Sequence, residues 1–197
     1  MSKSKTYTVG FKRKRKGKTN YKKRLNYLKS EKTRITIRTT KNDIIIQAID
    51  FNESGDRTIS TLKALDLRKM GWNYNPGNIP SSYLAGLYFG IKNKGKIKES
   101  IIDLGLKSIT KGNRLSAAIK GIKDSGINIS CSEKIFPSEN KIDGTSITEY
   151  ANSLSENKEK YEKQFSKYLK KGLDPKNIKQ DFKKIKETIM KNEKETK

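Results

Sequence analysis

Five consecutive cations, Lys12-Arg13-Lys14-Arg15-Lys16, stand inside the stretch FKRKRKGKTNYKKRLNYL, Phe11–Leu28. Between Met1 and Ser30 there are twelve Lys/Arg and no Asp or Glu, so half of the net charge of +24 lies on about a sixth of the chain. Like charges at this density repel, and a folded domain gains no stability from them. The chemistry open to them is neutralisation of a dense polyanion, with release of its condensed counterions. The stretch therefore points to nucleic acid, with the rest of the chain as the platform that positions it.

A second set of residues could do different work. Asp50 and Asp56 flank a turn, and Asp103 lies on a later apolar run. Carboxylates on adjacent strands can hold two metal ions, as in ribonuclease-H-like nucleases. The order of elements is compatible with that topology, which makes a metal-dependent RNA-processing nuclease the alternative reading. Against it, the first strand carries no acid, and aspartates at turns commonly serve backbone conformation alone. Other chemistry is poorly supplied. The chain has no histidine, the commonest general base and metal ligand, and a single cysteine, Cys131. That argues against zinc hydrolysis and against Ser/His or Cys/His nucleophiles. No phosphate-cradling Gly-rich loop ending in Lys-Ser/Thr is present. The expectation is a protein that is not an enzyme, with no cofactor, no metal and no small-molecule substrate.

Composition sets the frame. A length of 197 residues suits one domain with appendages, and 32% hydrophobic with 34% charged residues implies a modest core and much solvated or partner-bound surface. A pI near 10 fits nucleic acid. No apolar run reaches transmembrane length, and no bulky amphipathic helix adjoins the lysine run, so a membrane partner is not expected. A lone cysteine, read as a small buried residue, agrees with a reducing cytoplasm.

The elements that must position the cations follow from periodicity. Met1–Thr19 has no apolar period and reads as an extended basic arm, disordered when free. Tyr21, Leu25 and Leu28 make one stripe of a short helix capped by Asn20, with Lys22, Lys23 and Arg24 around the other sides. Arg34–Arg38 alternates: Ile35 and Ile37 face inward, and Arg34, Thr36 and Arg38 form a basic outer face. Ile44–Ile49 is a nearly continuous β-branched run, read as a strand buried on both faces. A third strand around Arg57–Leu62 follows the turn NESGD, completing an antiparallel meander. Trp72 reads as a core plug. Pro80–Lys94 is the strongest helix, with Gly86 and Gly90 on one face permitting close approach to the sheet. Ser100–Leu104 is then a strand reached by a crossover, parallel to its neighbour. Gly112–Ser125 is a further helix, and Ile127–Ile129 a short strand or packed coil. Ser132–Asp143 reads as loop. Ser155–Lys171 and the segment from Asp174–Pro175 to Met190 read as a helical hairpin joined at Gly172. The fold class is α/β: a mixed sheet packed with helices, a basic N-terminal arm and a C-terminal helical extension. The corresponding units are residues 1–19, 20–131 and 132–197.

Several strings resemble one family. NIPSSYLAGLYFGIK (Asn78–Lys92), SIIDLGL (Ser100–Leu106) and KGNRLSAAIKG (Lys111–Gly121) resemble the central helix, strand and following helix of the universal L-eighteen ribosomal proteins, archaeal type, whose eukaryotic member is called L-five. GKTNYKKRLNYLKS (Gly17–Ser30) and MGWNYNPGN (Met70–Asn78) are similar to its N-terminal motif and pre-helix loop. GTSITEYANSL (Gly144–Leu154) and DPKNIKQDFKKIKETI (Asp174–Ile189) resemble its C-terminal extension. The seven motifs occur in the family's order.

The resemblance implies a structural constituent of the large ribosomal subunit, cytoplasmic and held in the ribosome. It implies binding to 5S rRNA in the central protuberance, with contacts to large-subunit rRNA and neighbouring ribosomal proteins. Carried over, the RNA-facing positions are Lys12, Arg13, Lys14, Arg15, Lys18, Tyr21, Lys22, Arg24, Arg34 and Arg38. One departure is the turn TTKND between the first two strands, where the family is often basic: Asp43 leaves only Lys41 as a cation there.

Overall fold

The structure, a computed structural model, describes residues 8–97 and 99–195. Tyr7 and the rest of the first seven residues of the basic arm lie outside the described residues. The chain runs α1 (Lys12–Arg15), α2 (Tyr21–Leu28), β1 (Thr33–Thr39), β2 (Ile44–Asp50), β3 (Arg57–Lys63), α3 (Ile79–Asn93), β4 (Glu99–Asp103), α4 (Arg114–Asp124) and β5 (Asn128–Ile129). It ends in α5 (Glu139–Ile142), α6 (Thr145–Ser153), α7 (Lys158–Leu169) and α8 (Ile178–Glu195).

The sheet has the order β3-β2-β1-β4-β5. β1–β2 and β2–β3 pair antiparallel, whereas β4 joins β1, and β5 joins β4, in parallel. The meander and the parallel crossover strand are therefore as the pattern predicts. Burial along the strands is not. β2 alternates: Ile44, Ile46 and Ala48 are buried, while Ile45, Gln47 and Ile49 are half-buried on the other face. A strand next to an edge strand has one face only lightly covered, so a β-branched run did not mean two buried faces. β1, central between β2 and β4, is the doubly buried strand: Arg34, Ile35, Thr36 and Ile37 are all buried.

Helix α3 is the spine. Asn78 caps it, its side chain accepting from Ser81 N at 2.8 Å, and Pro80 occupies the first turn. Trp72 is 1% exposed and donates through Nε1 to Ser81 Oγ at 2.6 Å, so the core role expected of it holds. The glycines of α3 correct one expectation. A Cβ on Gly86 would collide with the Ala118 carbonyl oxygen, and one on Gly90 with Ser125. Reciprocally, a Cβ on Gly121 would collide with the Tyr83 carbonyl oxygen. The close approach is thus to α4, not to the sheet, because two helices can bring backbones nearer than the side-chain layer between helix and strands allows.

The C-terminal region also departs from its pattern. The Ser132–Asp143 stretch contains a 3-10 turn at Glu133–Ile135 and α5, and the Thr145–Ser153 helix was not read from periodicity. Asp174 caps the last helical segment through Lys176 N at 2.9 Å, as expected, with Pro175 in its first turn. Yet α7 and α8 do not close on each other as a hairpin. Ile178, Phe182, Ile185 and Ile189 of α8 join the central core, and Phe182 meets the Trp72 ring edge-on at 6.4 Å. In α7, Phe165 packs among Tyr150, Tyr161 and Tyr168. Two apolar stripes at helical spacing do not say which of several surfaces each will meet.

Candidate nucleic-acid interface

The basic stretch is shaped by its own backbone. α1 is one turn of helix within what the sequence suggests is an extended arm. It closes with Lys18 N donating to Arg13 O at 2.9 Å and Gly17 N to Lys14 O at 3.0 Å. This Schellman pattern needs a left-handed residue after the helix, and Gly17 supplies it at φ +60°. Arg13 Nε then donates to Thr19 Oγ1 at 2.9 Å, and Asn20 caps α2 by accepting from Lys23 N at 3.0 Å. Five adjacent cations would otherwise spread apart. The glycine and the two caps turn them back toward the sheet.

Helix α2 docks by part of the expected stripe together with its basic side: Tyr21 and Leu28 are half-buried beside Lys23, Arg24 and Tyr27, and Leu25 departs from the stripe. Leu25 is 53% exposed, and α2 buries no residue fully. Arg24 Nη2 instead reaches Asp56 Oδ2 at 2.8 Å, and Lys23 Nζ donates to the Gly105 carbonyl at 3.4 Å. Between α2, the end of β1 and the loop after β4 lies a cleft of about 360 Å³. Among the described residues Arg13, Lys18, Lys23, Arg24, Arg38 and Lys107 line it, with Asp103 as the one acid.

The predicted site residues fall into three settings. Lys12, Arg13, Lys14, Arg15, Lys18 and Lys22 are exposed. Tyr21, Arg24 and Arg38 are half-buried. Arg38 is braced by β4, its Nη2 3.1 Å from Asp103 Oδ2 and its Nη1 donating to the Asp103 carbonyl at 2.5 Å. Arg34 is the correction. It is 3% exposed, and its Nη2 lies 2.7 Å from the same Asp56 oxygen that Arg24 holds. Strand alternation put Arg34 on an outer face, but β1 is central and that face lies on the side α2 approaches. Arg34 therefore braces the interface from beneath and offers no open face. Although burial acts to raise it, hydrogen bonds and charge from Arg34 and Arg24 hold the Asp56 carboxyl below its usual range.

Sequence reasoning did not select Lys23 and Lys107. Lys107 donates to the Thr39 carbonyl at 3.1 Å and to Thr39 Oγ1. Only the parallel β1–β4 pairing brings it beside Arg38, and nothing local in SIIDLGLK signals that. The three aspartates of the nuclease alternative are each already engaged. Asp50 accepts from Thr33 Oγ1 at 2.7 Å, Asp56 is shared by two arginines, and Asp103 is held by Arg38 and by Gly105 N at 2.6 Å. Among the described residues no three His, Cys, Asp or Glu are grouped to hold a metal ion.

Six cations around one acid among the described residues, carried by a sheet and two capped basic turns, are an arrangement able to take phosphates. Residues 5–100 match the family model described as ribosomal large subunit proteins 60S L5, and 50S L18. The match covers just under half of the chain and supports a large-subunit ribosomal protein of this kind. Such a protein is an rRNA-binding structural constituent of the large ribosomal subunit and works in translation; the family is of a structural rather than catalytic kind. The match spans α1 to the first residues of β4, and so contains five of the six cleft cations. Among the described residues, no helix is long and apolar enough to cross a membrane.

Proposed function

We propose that this chain binds 5S rRNA through the basic edge of α1, α2 and the β1–β4 end of the sheet, and helps attach it to large-subunit rRNA in the central protuberance. The observation that carries the reading is the cleft lined by Arg13, Lys18, Lys23, Arg24, Arg38 and Lys107, whose one acid among the described residues, Asp103, is already paired with Arg38. Lys12, Lys14, Arg15, Tyr21 and Lys22 extend the surface outward from it. Recognition is of RNA shape, with arginine forks on phosphates, since the A-form major groove is too narrow for side chains to read. The setting is the cytoplasmic ribosome, beside other large-subunit proteins, and α6–α8 form an archaeal-type extension.

A salt titration of binding to 5S rRNA tests this. Each neutralised phosphate contributes a log–log slope of roughly −0.7 to −0.9, so affinity falls steeply with salt. Removing residues 1–19 weakens binding while the sheet and α3–α4 stay folded. A flat salt slope, or co-purification of the chain with other RNA but not 5S rRNA, would overturn the reading.

A further inference from the structure

Phe11 has no place in an electrostatic account. It is 69% exposed, lies outside the central core, and is followed by five exposed cations. Among the described residues its one ring partner is Tyr21, with centroids 5.0 Å apart and planes tilted by 46°. Trp72 and Tyr74, the aromatics that composition alone would nominate for stacking, are both buried. The Phe11 backbone is not loose either: its carbonyl accepts from Arg15 N at 3.0 Å as α1 begins. Beside Tyr21 opens a hollow of about 350 Å³, bounded by Lys14, Lys22 and Leu106 among others.

We propose that Phe11 and Tyr21 form a seat for an unpaired base of the bound RNA, flanked by cations that take its phosphates. This rests on the rRNA-binding reading above and adds the class of nucleotide recognised. A flat apolar ring in a field of lysines gains little from water and cannot pair with a phosphate. The π-face of a base splayed out of a loop or bulge suits it, whereas a base inside a duplex has both faces already stacked. The competing role is packing: Phe11 as an apolar staple that fixes α1 on α2 through Tyr21. A leucine would serve that role and would not serve stacking.

The experiment compares the full chain with Phe11→Ala, Phe11→Leu and Phe11→Trp in binding to 5S rRNA across a salt series. The alanine and leucine variants are expected to lose about 10-fold in affinity with the salt slope unchanged, since no cation is removed. The tryptophan variant retains affinity, and its added emission is quenched by RNA, with the buried Trp72 of the unmodified chain as the background. Equal affinity of the leucine variant or absence of quenching would overturn the seat. Failure of the unmodified chain to bind 5S rRNA would overturn the 5S reading and the seat with it. Binding by the unmodified chain with no loss in the leucine variant overturns the seat alone.

Discussion

Helices α1 and α2 fully bury no residue, whereas α3 buries twelve of its fifteen. The two regions are held by different forces. The α3–α4 pair rests on backbone proximity at Gly86, Gly90 and Gly121 and on a continuous apolar core. The α1–α2 edge rests on hydrogen bonds of its own backbone and on one carboxylate, Asp56, between Arg24 and Arg34. Apolar burial fixes a helix at the expense of hiding its surface. A polar attachment leaves most of the cations facing outward, and it also lets the edge be altered without unfolding the body. Under the proposed function, affinity and architecture fall to separate parts of the chain.

The sharpest way to break this division is to remove charge from the edge. Replacing Lys12, Arg13, Lys14 and Arg15 together by glutamine is expected to make the salt slope of RNA binding shallower by about 3. Affinity at physiological salt falls roughly 400-fold, since each lost phosphate contact removes its share of counterion release. The thermal midpoint should stay that of the unmodified chain, because none of the four side chains is buried. A fall in the midpoint would mean that the edge does support the body.

Asp56 sits where the two regions meet, and its removal tests the joint. Asp56→Ala leaves the Arg34 guanidinium buried without its anion, at an expected loss of about 3 kcal/mol in denaturant unfolding. The sign with pH follows from the lowered carboxyl pKa. The bridge contributes fully above the ordinary aspartate value of 3.8, where the unfolded chain is ionised, and is lost as pH falls through the lower folded value. The unmodified chain should therefore lose more stability than Asp56→Ala on acidification below that point. Parallel acid curves for the two proteins would show that Asp56 does not couple α2 to the sheet.

What could be read in advance divides along the same line. The strands, α3, α4 and the Asn20 and Asp174 caps were legible because period and capping are local properties of the chain. The charge of the arm was legible because no partner within the fold is needed to count it. Arg34 and Leu25 were misassigned because their faces depend on which strand is central and on what lies over it. That is a property of the strand order β3-β2-β1-β4-β5 and not of the RITIR pattern. Lys107 was missed for the same reason: its neighbour Thr39 is sixty-eight residues away in sequence. Gly86 and Gly90 announced a close approach, but a glycine names no partner.

The helix pair offers the complementary test, with an effect on stability and none on the interface. Gly121→Ala introduces a methyl where the Tyr83 carbonyl oxygen and the Leu87 amide of α3 already stand. Alanine favours helix over glycine by about 1 kcal/mol, so propensity alone predicts a gain. Overpacking against backbone costs about 1–3 kcal/mol and here meets rigid atoms rather than a flexible side-chain end, so the clash decides the sign. The expected net loss is about 2 kcal/mol in denaturant unfolding, with the salt slope of RNA binding unchanged below the transition. The contrast is sharpened by Gly17→Ala, whose new Cβ meets nothing within 4 Å and is disfavoured only by the left-handed φ. It should leave the midpoint in place while loosening the turn that aims the cations. If instead Gly121→Ala stabilised the protein, the α3–α4 contact would be able to part at small cost, and the body would owe its stability to the sheet side of α3.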